Sequence, residues 1–488
     1  MNHIEHFPLM IAGAENENHQ RLQGEPLQVK SPYDDGLIAT VATANATAVE
    51  LALAQASGQF ANRSAWLALD QRIIILQRMI ELLQDQAEDL ARGAAQEGGK
   101  PLIDSRIEMA RCIDSIRICI DTLRSNSNNS PVMGVNAASK NRAVLMQQEP
   151  IGVVVAVSAF NHPLNLIAHQ VGPAIAAGCP VIIKPAGDTP LSCFRLVRLF
   201  HQAGIPKACL QCIVPETRTL AETLVTDARV GFFSFIGSAK VGWHLRSRIA
   251  AGTRCALEHG GVAPVIVCQD ANLQQALPGL MKGAFYHAGQ VCVSVQRIFA
   301  HTSIARRLAN SMAEQAKALV VGDPLSDSTE IGPLIRAAEV DRIHVWVKEA
   351  VAGGAQLLCG GDKLDFHCYA PTVLFDPPDD ASISTREVFG PVVCIYPFTE
   401  LDAAIAEANR LDVAFQASVY SRDIDTALGI ANQLAASAVM INDHTAFRVD
   451  WMPFAGLKHA GLGVGGIPYS IRDMQVEKMV VIHSNAIN

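Results

Sequence analysis

Cys292, in "HAGQVC", follows a glycine and a loop whose backbone amides can face a cleft. A cysteine attacks only as thiolate, so it needs a polar, partly electropositive setting rather than hydrocarbon. By composition alone this thiol would be an inert core residue, and its neighbours in chemistry lie far away along the chain. "ALEHGGVAP" sets Glu258 at a strand end, immediately before the flexible Gly260-Gly261 pair, where a carboxylate can swing into a cleft as a base. "SAFNHPLN" sets Asn161 just past an apolar strand, where its amide can donate to a developing oxyanion or simply cap a turn. Nucleophile, base and oxyanion donor together suit reaction at a carbonyl carbon.

Two further segments suit a phosphate-bearing ligand. "VIIKPAGDTP" ends a strand on Lys184, and "FIGSAKVG" offers a strand, a Gly237-Ser238 turn and a helix. The carboxyl ends of parallel strands open into a crevice where such ligands sit. Other patterns fail. "GLGVGG" (Gly461 to Gly466) lies far past the strand series and opens no helix, and "GAAQEGGKP" lacks the glycine and hydroxyl of a P-loop. "CLQC" (Cys209 to Cys212) has no second pair to complete a metal site, so no metal centre is expected and both thiols are expected in the core.

These residues need a scaffold that carries them to one place. A chain of 488 residues exceeds what one core supports, which predicts two large domains. Apolar residues make up 49% and charged residues 18%, a globular balance, and the net charge of −8 with no basic block argues against nucleic acid as a partner. "MNHIEHFPLM" lacks the basic and apolar regions of a secretory signal, and "IGVVVAVSAF" is too short to cross a bilayer. A reducing cytoplasm with free thiols is the expected home. Helical periodicity marks "TAVELALAQA", 67–95 and 101–123, and "SNSNNSP" (125–131) reads as a loop. From Ile151 onward short β-rich runs alternate with helices, which predicts an α/β fold of parallel strands in two series. "RAVLMQQEP" reads as an exposed strand and "KMVVIHSNAI" as a last strand that joins a sheet elsewhere.

The order and separation of "FNHPLN", "IIKPAGDTPL", "FIGSAKVG", "LEHGGVAP", "GQVC", "IGPLI", "EVFGP" and "PFAGLKHAGLG" resemble the aldehyde dehydrogenase superfamily nearly end to end. That resemblance implies a Rossmann-like cofactor domain (1–127 and 149–257), an α/β catalytic domain (258–470), and a small β oligomerisation element formed by a ribbon and tail (128–148 and 471–488). It implies Cys292 as nucleophile, Glu258 as general base and Asn161 as oxyanion donor. Lys184 would meet the adenosine ribose, Gly237 and Ser238 the pyrophosphate, and Glu387 the nicotinamide ribose. Phe389 would lie against the nicotinamide, and Phe160 would line the cofactor cleft. NAD or NADP is the implied cofactor, and a homodimer or homotetramer the implied assembly. Two alternatives stay open: an enzyme that passes the acyl group to coenzyme A, which Glu258 disfavours, and a non-catalytic member of the fold.

Departures from the family pattern bear on specificity. Gly187 stands where many NAD-using members carry a glutamate that repels a 2′-phosphate, whereas Glu216 adds negative charge and tips the balance toward NAD. His162, Arg448 and Arg111 fall where relatives line the aldehyde tunnel. Their types suggest a small aldehyde with an anionic tail, such as a phosphonate, phosphate or carboxylate, held by the planar arginine fork. The context resembles phosphonoacetaldehyde, lactaldehyde and glyceraldehyde-3-phosphate dehydrogenases, although Val291 replaces an arginine found in some phosphate-binding relatives.

Overall fold

The computed structural model describes residues 4–14, 21–125 and 130–487. The central part of the "SNSNNSP" loop lies outside these residues. Two large sheets organise the chain. The first has six strands in the order Gly461–Leu462, Arg254–Glu258, Val230–Ile236, Val153–Val157, Val181–Lys184, Leu210–Cys212, all parallel except the first. Runs such as "VVVAV" and "VIIK" form it because helices cover both faces, so alternation with polar residues is lost. One covering helix, Asn165–Ala177, is buried along its whole length.

The second sheet has seven strands in the order Gln356–Cys359, Thr372–Phe375, Val392–Phe398, Arg297–His301, Pro264–Val267, Gln416–Tyr420, Ala438–Ile441. Only the first of these runs antiparallel. A separate ribbon pairs Arg142–Pro150 with Gln475–His483 antiparallel over nine residues. Its outer strand leaves Met479, Val480, Val481 and Ile482 exposed.

Both series of βαβ units expected from the sequence are present, and the α/β class stands. The expected division of the chain is crossed at one point. Residues 461–470, expected in the catalytic domain, and 471–474, expected in the tail, return to the first sheet: Leu462 pairs with Leu257, and Ile467, Ile471 and Met474 pack into the core beneath that sheet. The return matters because it sets a wall beside Glu258. Cys209 and Cys212 are buried as expected, and the twelve cysteines are all unpaired. Among the described residues no helix is long and apolar enough to cross a membrane.

Candidate active site

A cleft of about 530 Å³ opens between the two sheets, at the carboxyl ends of the first sheet's strands. Asn161, Glu258 and Cys292 line it together. The thiol arrives on the loop between the helix Leu273–Phe285 and the strand Arg297–His301. His287, Ala288 and Gly289 run consecutively through left-handed backbone, with φ of 49°, 52° and 69°. A side chain at Gly289 would meet the Gly390 carbonyl oxygen at 2.1 Å, so only glycine lets the two loops approach.

Four bonds then fix the thiol loop. Asn161 Nδ2 donates to the Gln290 carbonyl at 2.9 Å, and Gly261 N–H donates to the Cys292 carbonyl at 3.2 Å. The Gln290 side chain donates to the Pro333 carbonyl and accepts from Ile335 N–H, at 3.3 and 3.0 Å. An amide nitrogen carries two hydrogens, so Asn161 keeps one for a ligand oxygen.

Electrostatics set the tone of the site. Burial pushes the Cys292 thiol up to about 12, and the Arg448 charge pulls the other way. Burial also raises the Glu258 carboxyl, again opposed by Arg448. Glu258 fits because Gly465 lies beside it: a Cβ there would stand 2.2 Å from its Oε1.

Arg448 is the cation both groups feel. Its side chain is only 10% exposed, and its Cζ lies 3.6 Å from the Phe454 ring centroid. The Nε is 4.0 Å from Asp450 Oδ1, beyond hydrogen-bonding reach, and has no hydrogen-bond partner among the described residues. Arg111 lines the cleft too, but Asp450 takes its fork, with Nη2 and Nε donating at 2.6 and 3.1 Å. The expectation of Arg111 as a free anion ligand is therefore corrected. His169 Nε2 and Asn165 Nδ2 also bond Asp450 Oδ1, at 2.8 and 3.3 Å. Burial holds His169 neutral, down at about 4, so its Nδ1 can accept from Arg448 Nη2 at 3.4 Å. His162 is buried, pushed well below the usual imidazole range by that burial, and lies 3.4 Å from the Tyr286 hydroxyl. It offers the cleft a neutral ring rather than a cation.

The other end of the cleft suits a dinucleotide. Glu387 Oε1 is buried without a hydrogen-bond partner among the described residues, and desolvation raises its carboxyl to about 8. A buried acceptor left unpaired is costly, which fits a ligand hydroxyl at that oxygen. Gly260 makes room for it, since a Cβ there would meet Oε1 at 1.8 Å. Phe389, at φ 50°, stands edge-on to Phe160 with ring centroids 5.8 Å apart. Gly237 and Ser238 lead into the helix Ala239–Arg246, whose first amides carry no side-chain cap from Ser238. These residues fit a phosphate-linked cofactor. Lys184 differs from expectation: it ends its strand, but Nζ donates to the Pro185 carbonyl at 3.0 Å and the side chain does not line the cleft.

Sequence reasoning missed Asp450, Gln290 and Gln296. The last donates to the Ile383 and Arg386 carbonyls and accepts from Val388 N–H, holding the loop that carries Glu387 and Phe389. A lone glutamine or aspartate carries no spacing signal; the partners that fix these three are 43 to 339 residues away.

The model of the aldehyde dehydrogenase family matches residues 19–480. A 3-sulfolactaldehyde dehydrogenase of Priestia megaterium is 36% identical over 460 residues, covering 94% of this chain and 95% of its own. Among solved structures, aldehyde dehydrogenase 21 of Physcomitrella patens with its reaction product succinate superposes at a TM-score of 0.92. It is 31% identical, and the match covers 99% of each chain. Glyceraldehyde-3-phosphate dehydrogenase GapN of Methanocaldococcus jannaschii, complexed with NADP, gives 0.89 at 31% identity over 94% of this chain and 100% of its own.

Proposed function

The chain belongs to the aldehyde dehydrogenase family and is an NAD(P)-dependent oxidoreductase, and from that premise we propose that it oxidises a small aldehyde with an anionic tail to the carboxylic acid. Cys292 attacks the carbonyl as thiolate, and the oxyanion that forms accepts from the free hydrogen of Asn161 Nδ2 and from the Cys292 amide. A nicotinamide cofactor, when bound, would accept the hydride that the adduct loses in becoming a thioester. Glu258, in the carboxylate form, takes a proton from water to hydrolyse that thioester. Glu387 would hold a ribose hydroxyl at Oε1, which has no partner among the described residues, the turn at Gly237 and Ser238 would receive phosphate oxygens, and Phe160 and Phe389 would bound the ring site.

One observation carries the choice of substrate. Arg448 is a nearly buried guanidinium with an unpaired Nε, close enough to Cys292 and Glu258 for both to feel its charge. A tail reaching from the thiol to that guanidinium is short, which favours a two- or three-carbon aldehyde bearing a sulfonate, phosphonate or carboxylate. Because Asp450 takes the fork of Arg111, Arg448 is the arginine at the substrate end whose Nε has no partner among the described residues, which suits a singly charged tail.

The test compares kcat/KM for 3-sulfolactaldehyde, succinic semialdehyde and uncharged lactaldehyde with both cofactors, coenzyme A absent and Cys292→Ala as blank. Anionic substrates should lead by about tenfold or more, the value of one charge-assisted contact. Equal use of lactaldehyde would remove the anionic tail, and turnover only with added coenzyme A would remove hydrolysis. For assembly, the ribbon of 142–150 and 475–483 is our proposed contact between copies, giving a cytoplasmic dimer or tetramer.

A further inference from the structure

The far end of the cleft holds an acid and a base that bond each other. Asp188 lies in the loop after the strand Val181–Lys184, and Arg336 immediately precedes the helix Ala337–Ala352. Arg336 Nε donates to Asp188 Oδ1 at 2.9 Å, and Nη2 donates to Oδ2. Both residues line the same cleft as Gly187, Gly237 and Ser238. The fork thus links the loop after a strand of the sheet that carries the Gly237-Ser238 turn to the segment that anchors Gln290.

The pair is easily opened. Its side chains are 56% and 25% exposed, and ion pairs so wetted contribute little. Beside it, Gly187 has open space where a side chain would stand.

Dinucleotide clefts at the ends of parallel strands distinguish their two cofactors by simple chemistry. An acid accepts from the ribose hydroxyl of NAD, whereas an arginine receives the 2′-phosphate of NADP. This cleft has one of each, locked together. A carboxylate with two acceptor sites engaged keeps others free, so Asp188 can take a ribose hydroxyl with Arg336 still in place. A 2′-phosphate would instead draw the guanidinium away and leave Asp188 unpaired against a dianion.

We infer that the Asp188–Arg336 pair discriminates between the cofactors: intact, it favours NAD, and Arg336 is the latent ligand for a 2′-phosphate. The inference rests on the cleft being a dinucleotide site and is independent of which aldehyde is oxidised. It predicts that removing the acid's charge converts the pair into a phosphate site.

Binding without turnover tests it. Calorimetry on the full chain would compare adenosine 2′,5′-bisphosphate with adenosine 5′-monophosphate, and fluorescence would compare NADPH with NADH. Asp188→Asn should shift both ratios toward the 2′-phosphate by about tenfold, the size of one freed charge-assisted contact. Adding Arg336→Ala should erase that gain, and the kcat/KM ratio for NADP over NAD should follow. A ratio that stays within about twofold in Asp188→Asn, with the monophosphate still bound, would overturn the inference. Persistence of the gain in the double variant would remove Arg336 from it. If the parent binds neither NADH nor the monophosphate, the cleft assignment itself falls.

Discussion

Arg111 and Asp450, 339 residues apart in the chain, meet in a two-bond fork at 2.6 and 3.1 Å. That fork occupies one of the two arginines at the substrate end and leaves Arg448 as the one whose Nε has no partner among the described residues. Asp450 is also the acceptor for His169 and Asn165, so one carboxylate arranges the polar wall of the substrate end.

Asp450→Asn should destabilise the protein by about 3 kcal/mol, because breaking a buried pair leaves a cation uncompensated. Urea unfolding measures this. A loss under about 0.5 kcal/mol, the size of an ordinary surface change, would mean that the fork is not structural.

Arg448→Leu should cost anionic aldehydes about 30-fold in kcat/KM, the equivalent of roughly 2 kcal/mol for a lost charge-assisted bond. Uncharged short aldehydes should lose less. Parallel steady-state measurements decide the matter, and an equal loss for both classes would refute the tail site.

Gly465→Ala should strike the proposed base, Glu258, rather than the proposed nucleophile, Cys292. The added methyl would stand 2.2 Å from Glu258 Oε1 and push the carboxylate aside. Thioester hydrolysis should slow by about 100-fold, a common value for a displaced general base. Rapid mixing should then show a burst of NADH near one per active site. A variant with neither a burst nor a lowered kcat would contradict the placement of Glu258.

The pH profile follows from two raised groups. In the proposed mechanism Cys292 and Glu258 both act deprotonated, and burial raises both, the thiol to about 12. Their active forms therefore grow with rising pH and are lost as pH falls, so kcat/KM should climb from pH 6 to 9. The Arg448 charge lowers both groups, so Arg448→Leu should move the climb to higher pH, measured with an uncharged aldehyde. A profile that stays in place would show that Arg448 acts on the substrate alone.

The ribbon offers a separate check. Val480 and Leu145 face each other across its two strands and are both exposed. Charging both to aspartate should reduce the assembly seen by light scattering while leaving the melting profile of the subunit. An unchanged mass would exclude this face as the contact.

Local chemistry in the chain made much of this legible. The βαβ rhythm was readable because apolar strands and amphipathic helices differ in period, whereas Cys292, Glu258 and Asn161, each ordinary by itself, were legible only within the ordered run of motifs that resembles the family. Folding decided what spacing cannot express. Lys184 turned its Nζ to its own loop, His162 was neutralised by burial, and Arg111 was claimed by Asp450. Residue type specifies which charges a chain owns. Which of them stay free depends on partners brought from hundreds of residues away and on the water each one loses, and only the packed structure sets those two quantities.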